Sequence, residues 1–211
     1  MNEKIQEVFA AVEAGKAKKV PTAVQEALDA GCDPTAILNE GMIAAMDSVG
    51  AKFKAGEIFV PEMLVAARAM KKGVDVLKPH LASGETNAAG KIIIGTVAGD
   101  LHDIGKNLVR MMMEGKGLEV IDLGTDVSPE TFVKTAVEQN CQVICCSALL
   151  TTTMGVMEEV VKAAEAAGIR DKVKIMVGGA PVTDTFCQQI GADAYTADAT
   201  SAAEKAVEFC A

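Results

Sequence analysis

Near residue 90 the hydrophobic pattern of this chain changes from continuous helical periodicity to alternating strand and helix. That change constrains the fold more than any other feature. Short apolar runs fall at 91–97, 118–123, 142–147, 173–177 and 193–196, and amphipathic segments at 104–116, 129–139, 153–167, 182–190 and 199–210 follow them in turn. Strands that alternate with helices require right-handed crossovers, which build a parallel sheet. Five of them predict a flavodoxin-like (Rossmann-like) α/β domain of strand order 2-1-3-4-5. Its switch point, where ligands of open α/β sheets sit outside the strands' carboxyl ends, lies beside the first strand.

The residues before the change read as helices only. Ile5, Val8, Phe9 and Val12 recur at helical spacing up to Gly15, and Val20, Val24, Ala27 and Leu28 do so up to Gly31. Asp33-Pro34 supplies an N-cap followed by proline at the first helical position. Leu38, Met42, Met46, Val49 and Phe53 then form one stripe, and Pro61 opens a fourth helix carrying Met63, Ala67, Met70, Val74 and Leu77. Short connections between four such helices predict an N-terminal four-helix bundle. The small, polar stretch from Leu81 to Gly90 reads as a linker, which divides the chain into a helical domain, 1–84, and an α/β domain, 85–211. His80, just before it, reads as a solvated histidine at a helix end.

The first strand leads into Gly99-Asp100-Leu101-His102-Asp103-Ile104-Gly105-Lys106-Asn107 and then a helix. His102 thus stands at the expected crevice. An aspartate two residues before it can orient the ring, and a glycine three residues after it leaves room for a flat ligand. Taken alone, such a histidine is either a polar loop residue or a ligand. A phosphate loop fails here, since one residue too many separates Gly99 from Gly105. Asn107 also stands where Ser or Thr should follow Lys106, and Asp100 and Asp103 would repel phosphate. Two other connections share this edge. One is Ser147-Ala148-Leu149-Leu150-Thr151-Thr152-Thr153 and the other Gly178-Gly179-Ala180-Pro181. By themselves their hydroxyls read as helix caps and their glycines as tight turns. Met111, Met112 and Met113 point around a helix in different directions and read as packing.

Composition removes several classes. A net charge of −9 argues against a nucleic-acid partner, and no apolar run approaches the roughly 20 residues of a membrane span. The opening Met1-Asn2-Glu3-Lys4 is not a signal peptide. Six cysteines without metal or disulfide spacing read as buried small hydrophobes in a reducing cytoplasm.

Asp100-x-His102-x-x-Gly105 resembles the cobalamin-binding signature of corrinoid proteins, and with the two later connections the resemblance covers nearly the whole chain. It implies a corrinoid bound base-off, His-on, with His102 as the lower ligand of cobalt and Asp100 behind it. Thr153 stands where methionine synthase has a serine that extends this relay. Gly99, Asp103, Ile104, Gly105 and Leu149 fall in the motif loops that hold the ring. Ser147, Thr151, Gly178, Gly179 and Ala180 match the slot for the nucleotide tail, and Gly191-Ala192-Asp193-Ala194-Tyr195 resembles the last loop touching that tail. Phe53, Val60, Met63 and Leu64 resemble the residues of the helical cap that cover the reactive face of the corrin.

The resemblance is greatest to the stand-alone corrinoid proteins of methyltransferase systems for methylamines, methanol, betaines or aryl methyl ethers. It implies a methyl carrier that is not an enzyme on its own. Such a carrier accepts a methyl group on Co(I) from a substrate:corrinoid methyltransferase. It then passes the group to a methylcorrinoid:tetrahydrofolate or thiol methyltransferase, with a reductive activase as a third partner. A cobalamin-based sensor and a mutase cobalamin subunit are the alternatives. The first lacks a DNA-binding segment here, and the second does not accord with a four-helix cap.

Overall fold

The computed structural model describes residues 2–77, 79–80 and 90–211. The chain divides into two compact units, Met1–Ala88 with Gly115–Gly117 and Ala89–Glu114 with Leu118–Ala211. The expected linker and the 84/85 boundary lie, apart from Gly90, outside the described residues.

The first unit contains α1 (Glu3–Glu13), α2 (Val20–Asp29), α3 (Pro34–Ala36), a π-helical segment (Ile37–Ile43), α4 (Ala44–Lys54) and α5 (Val60–Leu77). Local chemistry sets its starts. The Asn2 side chain accepts the Lys4 N–H, and the Asp33 side chain accepts the Ala36 N–H with Pro34 at the first position. The stripe from Leu38 to Phe53 is helical, as its spacing predicts, but its first half winds as a π-helix rather than an α-helix. Gly41 sits in that segment, where a Cβ would stand 3.2 Å from Val8 and 3.4 Å from Ile5 of α1. The one residue without a side chain is thus turned onto α1. Val8, Val12, Val24, Met42, Met46, Val49, Met63 and Met70 form the buried interior. At about 1.5–3 kcal/mol for each large apolar side chain, their burial is the main source of stability in this unit.

The second unit alternates β1 (Lys91–Thr96), α6 (Ile104–Gly115), β2 (Glu119–Asp122), α7 (Pro129–Gln139), β3 (Val143–Ser147), α8 (Gly155–Ala166), β4 (Lys174–Gly178), α9 (Asp184–Gln189), β5 (Ala194–Tyr195) and α10 (Ala199–Cys210). All pairings are parallel, and the order is β2-β1-β3-β4-β5. Ile92, Ile93 and Ile94 are all buried, as in strands covered by helices on both faces. Ser128, Thr183 and Asp198 accept backbone N–H groups at the starts of α7, α9 and α10. The register fixes the site, because Thr96, Ser147 and Gly178 lie side by side at the carboxyl ends of β1, β3 and β4. The connections that follow these three residues are therefore neighbours.

Candidate functional site

Asp100 is the centre of the loop after β1. It is fully buried, and its carboxylate receives five hydrogen bonds. Oδ1 accepts the His102 backbone N–H at 3.0 Å and stands 2.6 Å from His102 Nδ1. Oδ2 accepts the N–H groups of Leu149 at 2.7 Å and Leu150 at 3.2 Å, and lies 3.1 Å from Thr153 Oγ1. The single hydroxyl proton of Thr153 is shared between this carboxylate and the Leu150 carbonyl, 2.9 Å away. Burial by itself would raise the Asp100 carboxyl. The bonds from His102, Leu149 and Leu150 outweigh it and hold the group well below the usual carboxylate range. A permanent carboxylate at Nδ1 keeps the proton on that nitrogen. Nε2 is then the nitrogen with the lone pair, on a side chain that is 51% exposed.

The loop backbone is held as firmly as the ring. Thr96 Oγ1 donates to the His102 carbonyl at 2.8 Å, and the Gly99 N–H donates to Asp126 Oδ1 at 2.7 Å. Asp126 reaches this position with a left-handed backbone, φ 55°. Around the imidazole the surface is unusually apolar. Ile104 is 82% exposed and Leu101 73%, with Leu149 and Leu150 also exposed on the neighbouring connection. A Cβ placed on Gly105 or on Gly178 would meet nothing within 4 Å. Gly179 is different: it adopts φ +134°, and a Cβ there would come 1.8 Å from the Ala148 carbonyl oxygen. Only glycine lets the β4 connection lie this close to the β3 connection.

The structure thus brings together Gly99, Asp100, His102, Asp103, Ile104, Gly105, Ser147, Leu149, Thr151, Thr153, Gly178, Gly179 and Ala180 at one sheet edge. Ser147 is half-buried and Thr151 exposed. Tyr195 is half-buried at the carboxyl end of β5. The preceding residues Gly191, Ala192 and Asp193 lie at the other end of the strand, where Asp193 N–H donates to the Ile175 carbonyl and Arg170 bonds to the Gly191 carbonyl. Of that expected loop, only its last residue reaches the site edge. In the helical unit Met63 is buried, Phe53 and Leu64 are half-buried, and Val60 is exposed. Sequence reasoning missed Leu101 and Leu150. Apolar character beside the motif histidine was the available signal for Leu101, and its place next to Leu149 that for Leu150, whereas the backbone donors of Leu149 and Leu150 leave none.

One outward imidazole suits a metal whose other positions are filled by its own macrocycle, as with haem. Among the described residues no group of three or more His, Cys, Asp or Glu could hold an ion by itself. The exposed aliphatic side chains and the open positions over Gly105 and Gly178 fit a large flat ring with a tail.

Fold and site therefore define a B12-binding α/β protein. The chain belongs to that family. Residues 90–207 match the B12 binding domain, and residues 4–78 match a second, helical model of the same description. It is 45% identical to trimethylamine corrinoid protein 1 of Methanosarcina acetivorans, over 86% of this chain and 85% of that one. It is 41% identical to dimethylamine corrinoid protein 2 of the same organism, over 98% and 96%. Among solved structures it resembles the methanol:cobalamin methyltransferase complex MtaBC from Methanosarcina barkeri, with a TM-score of 0.90 at 29% identity, covering 99% of this chain and 80% of that one. No helix among the described residues is long and apolar enough to cross a membrane.

Proposed function

We propose that this corrinoid protein carries methyl groups for a methylamine-type methyltransferase system, with His102 as the lower axial ligand of a base-off cobamide. The carrying observation is the pairing of His102 Nδ1 with the buried Asp100 carboxylate at 2.6 Å, which leaves Nε2 available on the fold's ligand-binding edge. When bound, the cobamide supplies a cobalt centre that can take up and give away a methyl group. The chain's own residues hold, orient and tune. Asp100 fixes the imidazole tautomer, and Thr153 holds the carboxylate from behind. Leu101, Ile104 and Leu149 provide an apolar seat beside Gly105. Ser147, Thr151, Gly178, Gly179, Ala180 and Tyr195 line the slot for the nucleotide tail. The resemblance of Phe53, Val60, Met63 and Leu64 to the helical cap of corrinoid proteins supports a role for them in shielding the reactive face of the corrin.

The protein is a carrier and not itself the methyltransferase. Its identity to trimethylamine and dimethylamine corrinoid proteins, 41–46%, exceeds the 29% to the methanol complex and favours a methylamine-class donor. Its partners are a substrate:corrinoid methyltransferase, a second methyltransferase serving tetrahydrofolate or a thiol, and a reductive activase. Six free cysteines accord with work in the cytoplasm. Electron paramagnetic resonance of the Co(II) holoprotein tests the central assignment. One axial nitrogen should split each cobalt line into three in the wild type, and His102→Ala should abolish that splitting while retaining cofactor. An unsplit wild-type spectrum would remove His102 from the coordination sphere.

A further inference from the structure

Lys106 is the least expected side chain of the α/β unit. It immediately follows the motif glycine in the first turn of α6, yet its side chain is only 1% exposed. Lysines are almost never buried without a partner, because an ammonium loses its hydration and must be compensated. Here the compensation comes from the end of the edge strand. Lys106 Nζ lies 2.6 Å from Asp122 Oδ1 and 2.9 Å from Asn107 Oδ1. Asp122 Oδ2 takes Arg110 Nη1 at 2.7 Å, and its Oδ1 also accepts the Gly124 N–H at 2.9 Å.

Two hydrogen-bonded routes lead from this pair back to the histidine loop. In the first, Asn107 joins Lys106 to Asp103: its Nδ2 donates to Asp103 Oδ2 at 3.0 Å and its backbone N–H to the Asp103 carbonyl at 2.8 Å. In the second, the Gly124 carbonyl accepts the Thr96 N–H at 2.9 Å, and Thr96 Oγ1 donates to the His102 carbonyl. Asp100 ties the loop to the β3 connection on one flank. Lys106 and Asp122 tie it to β2 on the other.

We propose that Lys106 and Asp122 are positioning residues for His102, acting through the loop backbone without touching the cofactor. Asp100 sets which nitrogen carries the proton. The buried ion pair sets where the loop stands, and so how far Nε2 projects from the sheet edge. The inference rests on the assignment of His102 as axial ligand. It goes beyond that assignment by giving the flank opposite Asp100 a share in the strength of the axial bond.

Lys106→Met tests it, since methionine approximates the buried stem and removes the charge, while Asp122 retains Arg110 and the Gly124 N–H. The Co(II) holoprotein should keep its cobamide, but the nitrogen-split fraction at fixed pH should fall. The expected change is a 10- to 100-fold weakening of axial binding, the usual range when a metal ligand loses its outer support. Asp122→Asn should act in the same direction, and the double variant no more than Lys106→Met alone, because both remove one pair. Lys162→Met, which removes an exposed pair with Glu158, should leave the spectrum unchanged. In the cofactor-free protein, nuclear magnetic resonance should detect the Nδ1 proton of His102. Its solvent exchange should quicken about tenfold in Lys106→Met, by the same loosening of support. A lower melting temperature with an unaltered nitrogen-split fraction and unaltered Nδ1 exchange would make the pair purely structural and overturn the proposal. If Lys106→Met does not fold, Asp122→Asn decides by the same two readouts. A wild type without nitrogen splitting would refute the ligand assignment, and the cofactor-free comparison would still judge the loop.

Discussion

Gly105→Ala should strengthen the fold and weaken the site at once. Gly105 lies in α6 without a left-handed backbone, and an added Cβ would meet no protein atom within 4 Å. Replacing a helical glycine by alanine at such a position stabilises by roughly 0.5–1 kcal/mol, because the unfolded chain loses freedom. For a protein of this size that is a rise of about 1–4 °C in melting temperature. The same empty space is where the corrin ring is proposed to lie. A methyl group there overfills a packed contact, at a cost of about 1–3 kcal/mol. The Kd for corrinoid should therefore rise roughly 5- to 150-fold. Thermal unfolding of the cofactor-free protein and titration with hydroxocobalamin, followed by absorbance, measure the two effects separately. An unchanged Kd would mean that the ring does not rest on Gly105. A lowered melting temperature would mean that the open position is not open in solution.

Gly179→Ala should behave in the opposite sense. With φ +134° and backbone oxygen at 1.8 Å from the new Cβ, it should destabilise the cofactor-free protein by more than about 3 kcal/mol in urea unfolding, and a loss below 1 kcal/mol would contradict the packing described. Thr153→Val removes the hydroxyl bonded to Asp100 and the Leu150 carbonyl while keeping the shape, and should cost about 1–3 kcal/mol. An unaltered urea midpoint would show that the hydroxyl does not matter to the fold. Burial would raise the Asp122 carboxyl, but its bonds to Lys106 and Gly124 and the Lys106 and Arg110 charges hold it below its ordinary value. Its stabilisation is therefore complete above the unfolded carboxylate pKa of about 3.9 and disappears as pH falls from there toward the folded value. Asp122→Asn should flatten the loss of stability as pH falls below about 4, and an acid limb as steep as the wild type's would count against the pairing.

Much of this architecture is legible in the sequence because apolar periodicity and turn residues specify it locally. The five strands and their helices fall where the pattern places them, with ends shifted by a few residues. The predicted helix at 153–167, for example, is Gly155–Ala166, because Thr151–Met154 form a turn first. The winding of Ile37–Ile43 is not legible, since α and π turns share a similar apolar spacing over so few residues. Within the site, Asp100 and His102 announce themselves by their place after β1. The partners of Asp100 do not, because two of them are backbone N–H groups nearly fifty residues away. Lys106 is equally silent. Its sequence neighbours mark it only as the cation of a failed phosphate loop, and its partner Asp122 is chosen by the pairing of β2 with β1.

Three of the five groups that donate to Asp100 come from Leu149, Leu150 and Thr153, not from the histidine's own loop. The motif Asp100-x-His102-x-x-Gly105 is therefore not a portable cassette. Transplanted alone onto another parallel sheet, it would arrive with a buried carboxylate stripped of most of its donors, and that carboxylate would protonate or turn to solvent. The minimal heritable piece is a pair of adjacent strand-to-helix connections. Recombination or design that exchanges one of them must exchange both.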